Sequence, residues 1–460
     1  MRGAIAAGHP LTAEAGAAVL RAGVNAVDAC VAAAAVSWVC ESPLTGPGGG
    51  GFMLVHDAAS GRTRLLDFFV AVPRERSAED ELLPLAVDFD GDTQQVFHTG
   101  PAAVGVPGTA LGLEEAHRRF GSLPWAELLA PAAVLARQGF LLTPEQGYLH
   151  RILDPLLRHS PEGDALYGPG RAVAVGERLA LPELGDTLER LARDGARVLY
   201  DGALAEQIAA HVPLTLDDLA GYEVVEREPL AVPYRGCEFR TNPPPSKGGA
   251  LLAVGFEALG EAEPTPLAIA RAMDEQEAVR AASPLRGTTH ISVVDAHGDA
   301  ASLSSSLGSG SGVVVPGTGI HLNNMLGEAD LAESAQPGER LSSMMAPSLV
   351  LEDGRPRLVV GSAGSARLRG AILQVVANAV ALGMDAAAAV DAPRIHVEDG
   401  VAHCEDPAAA DALEAAGYAV VRWAGPNLFF GGVSAVQVHV DGSLAAAGDP
   451  RRGGAGVVVA

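Results

Sequence analysis

Between Thr288 and Leu303 the chain carries two alternating runs joined by a turn, and this pairing limits the fold more than any other feature. Ile291 and Val293 before the turn, and Ala301 and Leu303 after it, flank Asp295-Ala296-His297-Gly298-Asp299, residues that tolerate the positive φ of a hairpin. Further strands are predicted at 346–351, 358–360 and 433–439, with helices at 369–382 and 407–416, the second opening on a proline suited to a first helical position. The first half mixes the same elements. Small and apolar residues at helical spacing predict two close-packed helices over 10–40, with Thr12 and Glu14 suiting the start. A glycine loop then enters a strand, 64–70 is its hairpin partner, and 107–210 is mostly helical, most clearly at 111–120 and 125–138. Strands at 224–234 and 237–241 lead to the rigid turn Asn242-Pro243-Pro244-Pro245-Ser246, and helical segments follow at 250–259 and up to about 282. Strands in runs and helices in runs, without a regular βαβ alternation, give an α+β layered architecture.

Composition removes several classes of function. Hydrophobic residues at 48% and charged residues at 19% leave ample material for a buried core. The 32 Lys+Arg against 56 Asp+Glu give a net charge of −24, spread along the chain, which repels nucleic acid and anionic membranes; neither is expected as a partner. Cys30, Cys40, Cys237 and Cys404 stand in no CxxC or Cys/His pattern, so buried thiols are expected and a bound metal is not. The first ten residues hold one positive charge and no sustained apolar run, and the apolar segment 26–39 is interrupted by Asp28 and shorter than the roughly 20 residues that span a bilayer. A cytoplasmic location is the resulting expectation.

Two glycine-rich segments invite a phosphate-loop reading and fail it. After Gly48-Gly49-Gly50-Gly51 no Gly-Lys-Ser/Thr follows and a strand begins, and in Ser246-Lys247-Gly248-Gly249 the lysine precedes its glycines. Gly287-Thr288-Thr289-His290, at the mouth of the hairpin, is by itself a loop running into a strand. Its chemical alternative is sharper. If the bond between Gly287 and Thr288 is cut, Thr288 carries a hydroxyl nucleophile and an α-amine, whose reference pKa of about 7.7 to 8.0 lets it act as the base near neutral pH.

Several motifs raise that alternative together. His9-Pro10, Asn25-Ala26-Val27-Asp28-Ala29, the glycine run from Gly48, Val106-Pro107-Gly108-Thr109, 216–222 and 242–249 precede Thr288-Thr289-His290. After it come Pro316-Gly317-Thr318-Gly319-Ile320, Leu322-Asn323-Asn324, Ser342-Ser343-Met344, Gly361-Ser362-Ala363-Gly364-Ser365-Ala366-Arg367 and Asp449-Pro450-Arg451-Arg452. In this order and spacing, over nearly the whole chain, they resemble the γ-glutamyltranspeptidase family. The resemblance implies self-cleavage between Gly287 and Thr288 into segments 1–287 and 288–460, which pair as a heterodimer. Together they form one four-layer αββα sandwich of the N-terminal nucleophile hydrolase type. By the same resemblance Thr288 is the nucleophile, and Ser306 stands where the family usually has a threonine that polarises it. The N–H groups of Gly364 and Ser365 stabilise the oxyanion, Ser342 and Ser343 hold the donor's α-carboxylate, and Glu328 is a nearby acid. No metal or organic cofactor is implied.

Departures from the family pattern concern recognition. Asp67-Phe68-Phe69 puts Phe69 where glutamyl-specific relatives carry a carboxylate-binding arginine, Met325 replaces a polar contact to the α-amine, and Gly308 replaces an amide or acid. Arg74 is the nearest substitute cation. The segment 264–287 before the cut is short for the family. The expectation is an acyl-enzyme on Thr288 that transfers its acyl group to water or an amine, with a small-molecule donor that the family makes γ-glutamyl. The alternatives are a non-glutamyl acyl donor, an unprocessed binding protein of 46.9 kDa, and a serine hydrolase using 304–306 with His290 or His297. The last lacks a nucleophile elbow.

Overall fold

Alternation along the strand Gly287–Asp295 sorts its side chains into different cores: Ile291 and Val293 enter one, and Val294 enters another. The computed structural model describes residues 2–75, 82–88, 94–279, 287–327 and 336–460. In it this strand is third in a seven-stranded sheet ordered Ala455–Val459, Gly3–Ala7, Gly287–Asp295, Ala300–Gly308, Gly50–Asp57, Arg62–Phe68 and Val225–Arg227. A six-stranded sheet follows the order Leu444–Gly448, Gly432–Val438, Arg355–Ala363, Ser348–Glu352, Cys237–Thr241 and Leu230–Tyr234. All neighbours in both are antiparallel. Phe52, Leu54, Val294, Leu349, Val359 and Val436 form the core between the sheets. Helices Ala26–Cys40 and Thr109–Phe120 pack on the outer face of the first sheet, and Lys247–Leu259 and Leu368–Val380 on that of the second. This is the expected four-layer αββα sandwich. Both sheets draw strands from 1–287 and from 288–460, so the Gly287–Thr288 bond divides the sequence without dividing the fold.

The helix Ala26–Cys40 is buried along its whole length, as an all-apolar surface requires. Its single charge is explained by hydrogen bonding: the Asp28 carboxylate accepts from the Ser122 amide and hydroxyl, both at 2.8 Å, and from the Leu123 amide at 3.0 Å. Among the described residues no helix is long and apolar enough to cross a membrane, and all four cysteines are buried and free. The preceding helix, Pro10–Arg21, corrects one expectation. His9 is its cap, with Nδ1 accepting from the Leu11 amide at 3.1 Å. Thr12 instead donates its hydroxyl to Glu41 Oε1 at 2.7 Å, tying the two helices together.

The run Gly48 to Gly51 is a backbone-packing device. The carbonyl of Gly49 accepts from the amides of Gly108 and Thr109, at 2.8 and 3.1 Å. A Cβ on Gly49 would press into the Ser306 carbonyl, and one on Gly51 would lie 2.5 Å from that of Ser304. Gly49→Ala is therefore expected to cost about 1–3 kcal/mol of stability by overpacking. Gly425→Ala, whose methyl would meet nothing within 4 Å, should stay within about 0.5 kcal/mol. Urea-unfolding midpoints compare the two.

Candidate active site

At its open end the central hairpin loses regular register. Gly287 faces Gly308, but Thr289 faces Ser305, so Thr288 stands opposite both Ser306 and Leu307. A bulge of this kind re-aims side chains beside a site. Ser306 Oγ accepts from the Gly308 amide at 2.8 Å, and Gly308 turns the chain with a φ of +73°. The end of the helix Ala26–Cys40 pins both strands: Thr289 donates to Glu41 Oε2 at 2.6 Å, and Thr45 and Ser305 share a hydroxyl–hydroxyl bond of 2.9 Å.

Thr288 thereby enters the wall of a narrow cavity with Phe69, Ser306, Met325, Ser343, Ser365 and Leu368. Six residues selected from sequence motifs thus converge on one cavity. None of the described residues that line it is charged. Phe69 is stacked on Phe52, with ring centroids 5.4 Å apart, and its carbonyl accepts from the Tyr222 hydroxyl at 2.7 Å. Arg74 is exposed and lines a different cavity with Asp218, Tyr222 and Arg340, so it does not take the place of the missing cation. Met325 lies two residues after Asn323, whose side-chain amide bridges the carbonyls of Gly48 and Gly105, each at 2.9 Å. Glu328 lies outside the described residues.

Gly364 and Ser365 open a short 3-10 turn after the strand Arg355–Ala363. Gly364 has a φ of +131°, and a Cβ there would sit 2.6 Å from the Gly431 Cα, so glycine is required. Ser365 also holds a positive φ, +61°; the other described non-glycine residues that do so, Arg235, Asp353 and Asp399, each precede a glycine in a hairpin turn, and Ser365 does not. Gly364 does not itself line the Thr288 cavity; Ser365 does. Of the serine pair, Ser343 accepts from the Met345 amide at 3.0 Å, while the buried Ser342 hydroxyl has no hydrogen-bond partner among the described residues. The Ser343 carbonyl accepts from the Lys247 amide at 2.8 Å and the Ser246 hydroxyl at 2.8 Å. The lysine-containing glycine motif is thus a buttress for the serine loop.

His290 and Ser304 are hydrogen-bonded at 2.8 Å, but the other ring nitrogen meets Ser292 at 3.0 Å, and among the described residues no carboxylate orients the ring. Both residues lie in the seam between the sheets, which gives the serine-hydrolase alternative no geometry. What the site can support is acyl transfer: a threonine hydroxyl, a neighbouring serine hydroxyl, and backbone N–H groups at a left-handed turn for a developing oxyanion.

Motif reading assigned no role to Glu41 or Arg452, which line a second cavity that also includes Thr288. Their signal was faint, because Glu41 precedes the glycine run without a pattern of its own and Arg452 was visible only within Asp449-Pro450-Arg451-Arg452. His290 lines that cavity too, and burial holds its pKa down at about 3. Between the ordinary value of about 6.5 and that value the unfolded chain binds a proton that the folded chain does not, so stability rises with pH across this window and is lost on acidification. Urea midpoints should fall between pH 7 and 4.5, with a shallower slope in His290→Gln; an equal slope would count against the assignment.

The family profile described as Gamma-glutamyltranspeptidase matches residues 12–265 and 259–459. The glutathione hydrolase proenzyme of Pseudomonas aeruginosa is 32% identical over 542 aligned positions, covering 99% of this chain and 94% of that protein. The Acylase ACY 1 proenzyme of Pseudomonas sp. strain SE83 is 32% identical over 529, covering 100% and 94%. A crystal structure of cephalosporin acylase from Bacillus halodurans superposes with a TM-score of 0.85 at 26% identity, over 99% of this chain and 95% of that one. With its hairpin nucleophile candidate, its αββα layers and these end-to-end matches, the chain belongs to the γ-glutamyltranspeptidase family of amide hydrolases and acyltransferases.

Proposed function

We propose that this enzyme cleaves itself before Thr288, forms an acyl-enzyme there, and acts on amides of a small acyl group that lacks a free α-carboxylate. Phe69 carries the second half of the reading. By the motif resemblance it stands where glutamyl-specific members carry an arginine; it lines the Thr288 cavity, and no described neighbour in that wall offers a charge instead. A buried carboxylate left without its charge-assisted partner costs roughly 1.5–3 kcal/mol. The acylase among the relatives and the cephalosporin acylase structure, both matched end to end, support the same direction.

In self-cleavage the Thr288 hydroxyl attacks the Gly287 carbonyl, the peptide C–N bond breaks as the ester forms, and water hydrolyses that ester to leave Gly287 with a carboxylate. In turnover the freed α-amine takes the hydroxyl proton as Oγ attacks the donor carbonyl, then returns it to the leaving amine. Water or an acceptor amine attacks the ester by the same route. In this scheme Ser306, which lines the same cavity, polarises the nucleophile, and the Gly364–Ser365 turn supplies N–H groups to the oxyanion. A γ-glutamyl donor is the second reading, and Ser342 favours it: its unpartnered buried hydroxyl, beside Ser343, suits an α-carboxylate.

Intact mass of the purified protein is expected to show two fragments divided at Gly287–Thr288, and Thr288→Ala a single chain near 46.9 kDa. A wild-type chain that stays whole under conditions where it is folded sinks the reading. For the donor, kcat/KM should be higher on butyryl p-nitroanilide than on γ-glutamyl p-nitroanilide, and Phe69→Arg should narrow that preference about tenfold or more. Strong glutamyl preference abolished by Ser342→Ala would establish the second reading instead.

A further inference from the structure

Thr288 lines two cavities, and the second one carries charge. Thr288 is common to the wall that holds Phe69 and Ser306 and to a wall that holds Glu41, Gln146, Thr289 and Arg452. Both oxygens of the buried Glu41 carboxylate are engaged, Oε1 by Thr12 and Oε2 by Thr289, the residue next to the candidate nucleophile. Gly8 makes room for this contact, because a Cβ there would lie 2.6 Å from Glu41 Oε2. Arg452 shares the cavity with its Nε and Nη1 buried and without hydrogen-bond partners among the described residues.

Of the other ionisable groups that line or adjoin this cavity, the carboxylate is paired and the histidines are neutral. Asp449 is bound by Arg394 at 2.7 Å and by Arg451 at 3.2 Å, and Arg451 Nε donates to Glu405 at 2.8 Å. His290 is held neutral by burial, and so is His9, beside Gly8, with a pKa of about 4. Glu145 stands in an outer cavity that Arg452 also lines. Glu41 and Arg452 are left as one negative and one positive charge beside Thr288, in surroundings dry enough for each to act strongly. Burial pushes the Glu41 carboxyl up, opposed by its hydrogen bonds from Thr289 and Thr12 and then by Arg452, while burial takes Arg452 down to about 10 against the pull of Asp449 and then of Glu41.

We propose that Glu41 and Arg452 are positioning residues that set the proton affinity of the α-amine released on Thr288, Glu41 raising it and Arg452 lowering it. The inference rests on Thr288 being a self-cleaved nucleophile. A terminal amine that serves as the base must be neutral when the hydroxyl attacks and basic enough to take its proton. A nearby opposite charge favours the ammonium form and a like charge disfavours it. A carboxylate alone would hold the amine protonated; an arginine alone would weaken it as a base.

The test is the pH dependence of kcat/KM for the processed enzyme on whichever of the two anilides it turns over. The acid limb reports the amine. Glu41→Gln should move that limb to lower pH, and Arg452→Gln to higher pH, each by about half a unit or more. Arg452→Lys, which keeps the charge, should leave it within about 0.2 unit. Limbs that coincide with wild type, or that move in the same direction in the two glutamine variants, overturn the inference while leaving the nucleophile assignment intact. Should Glu41→Gln fail to fold, the contrast between Arg452→Gln and Arg452→Lys decides alone. A wild-type chain that never exposes Thr288 overturns both readings together.

Discussion

The site depends on one irregular step in strand pairing, between Gly287 opposite Gly308 and Thr289 opposite Ser305. Side chains of a strand alternate between its faces, so a slip of one residue would exchange the helix-facing and sheet-facing sets. Ile291 and Val293 belong to the helix-side core, which fixes Thr289 and His290 in turn. The bulge then gives Thr288 a place outside that strict alternation. It is held by the end of a wholly buried helix, through Glu41 and Thr45, and by a glycine run close enough to touch the Ser306 carbonyl. Each of these contacts joins residues remote in sequence, so the position of Thr288 is a property of the whole sandwich.

The second constraint is polar. Between the sheets, where apolar packing alone would permit sliding, Ser292 donates to the Ser434 carbonyl at 3.0 Å and the Ser348 amide donates to Ser302 Oγ at 3.0 Å. The His290 ring fits against Gly361, where any Cβ would clash with it. Directional bonds that cross from sheet to sheet set their mutual register in a way that dispersion does not. That register decides where the Gly364–Ser365 turn, at the end of a strand in one sheet, stands relative to Thr288 in the other.

Much of this was legible from local pattern. The helix Trp125–Gln138 and the strand Cys237–Thr241 have the bounds that periodicity predicts, and the Asp295–Asp299 turn joins the strands expected around it. Side chains named from ordered motifs meet in one cavity although the chain scatters them. Other features were hidden because they are made only by folding. Thr12 reads as a helix-start residue, yet its hydroxyl is spent on Glu41. The Glu41 contact to Thr289 spans 248 positions, a separation at which no spacing rule applies. The order of strands in the two sheets is likewise set by long-range pairing, and Glu328 remains a motif assignment without described structure.

The division of labour within the site explains why one fold accommodates both glutathione hydrolases and acylases among this chain's relatives. In the proposed reaction, acyl transfer draws on groups that the backbone positions: a hydroxyl at a bulge, an amine that would be a new chain terminus, and N–H groups of a turn that requires glycine at Gly364. Such groups survive replacement of surrounding side chains. In the proposed reading recognition rests instead on side chains of the same cavity, Phe69 and Met325, which belong to the core between the sheets and lie outside the bulge and the Gly364–Ser365 turn. On that reading, charge near Phe69 can change without moving Thr288, whereas the Glu41 charge cannot: Glu41 holds Thr289, and through it the strand on which Thr288 sits.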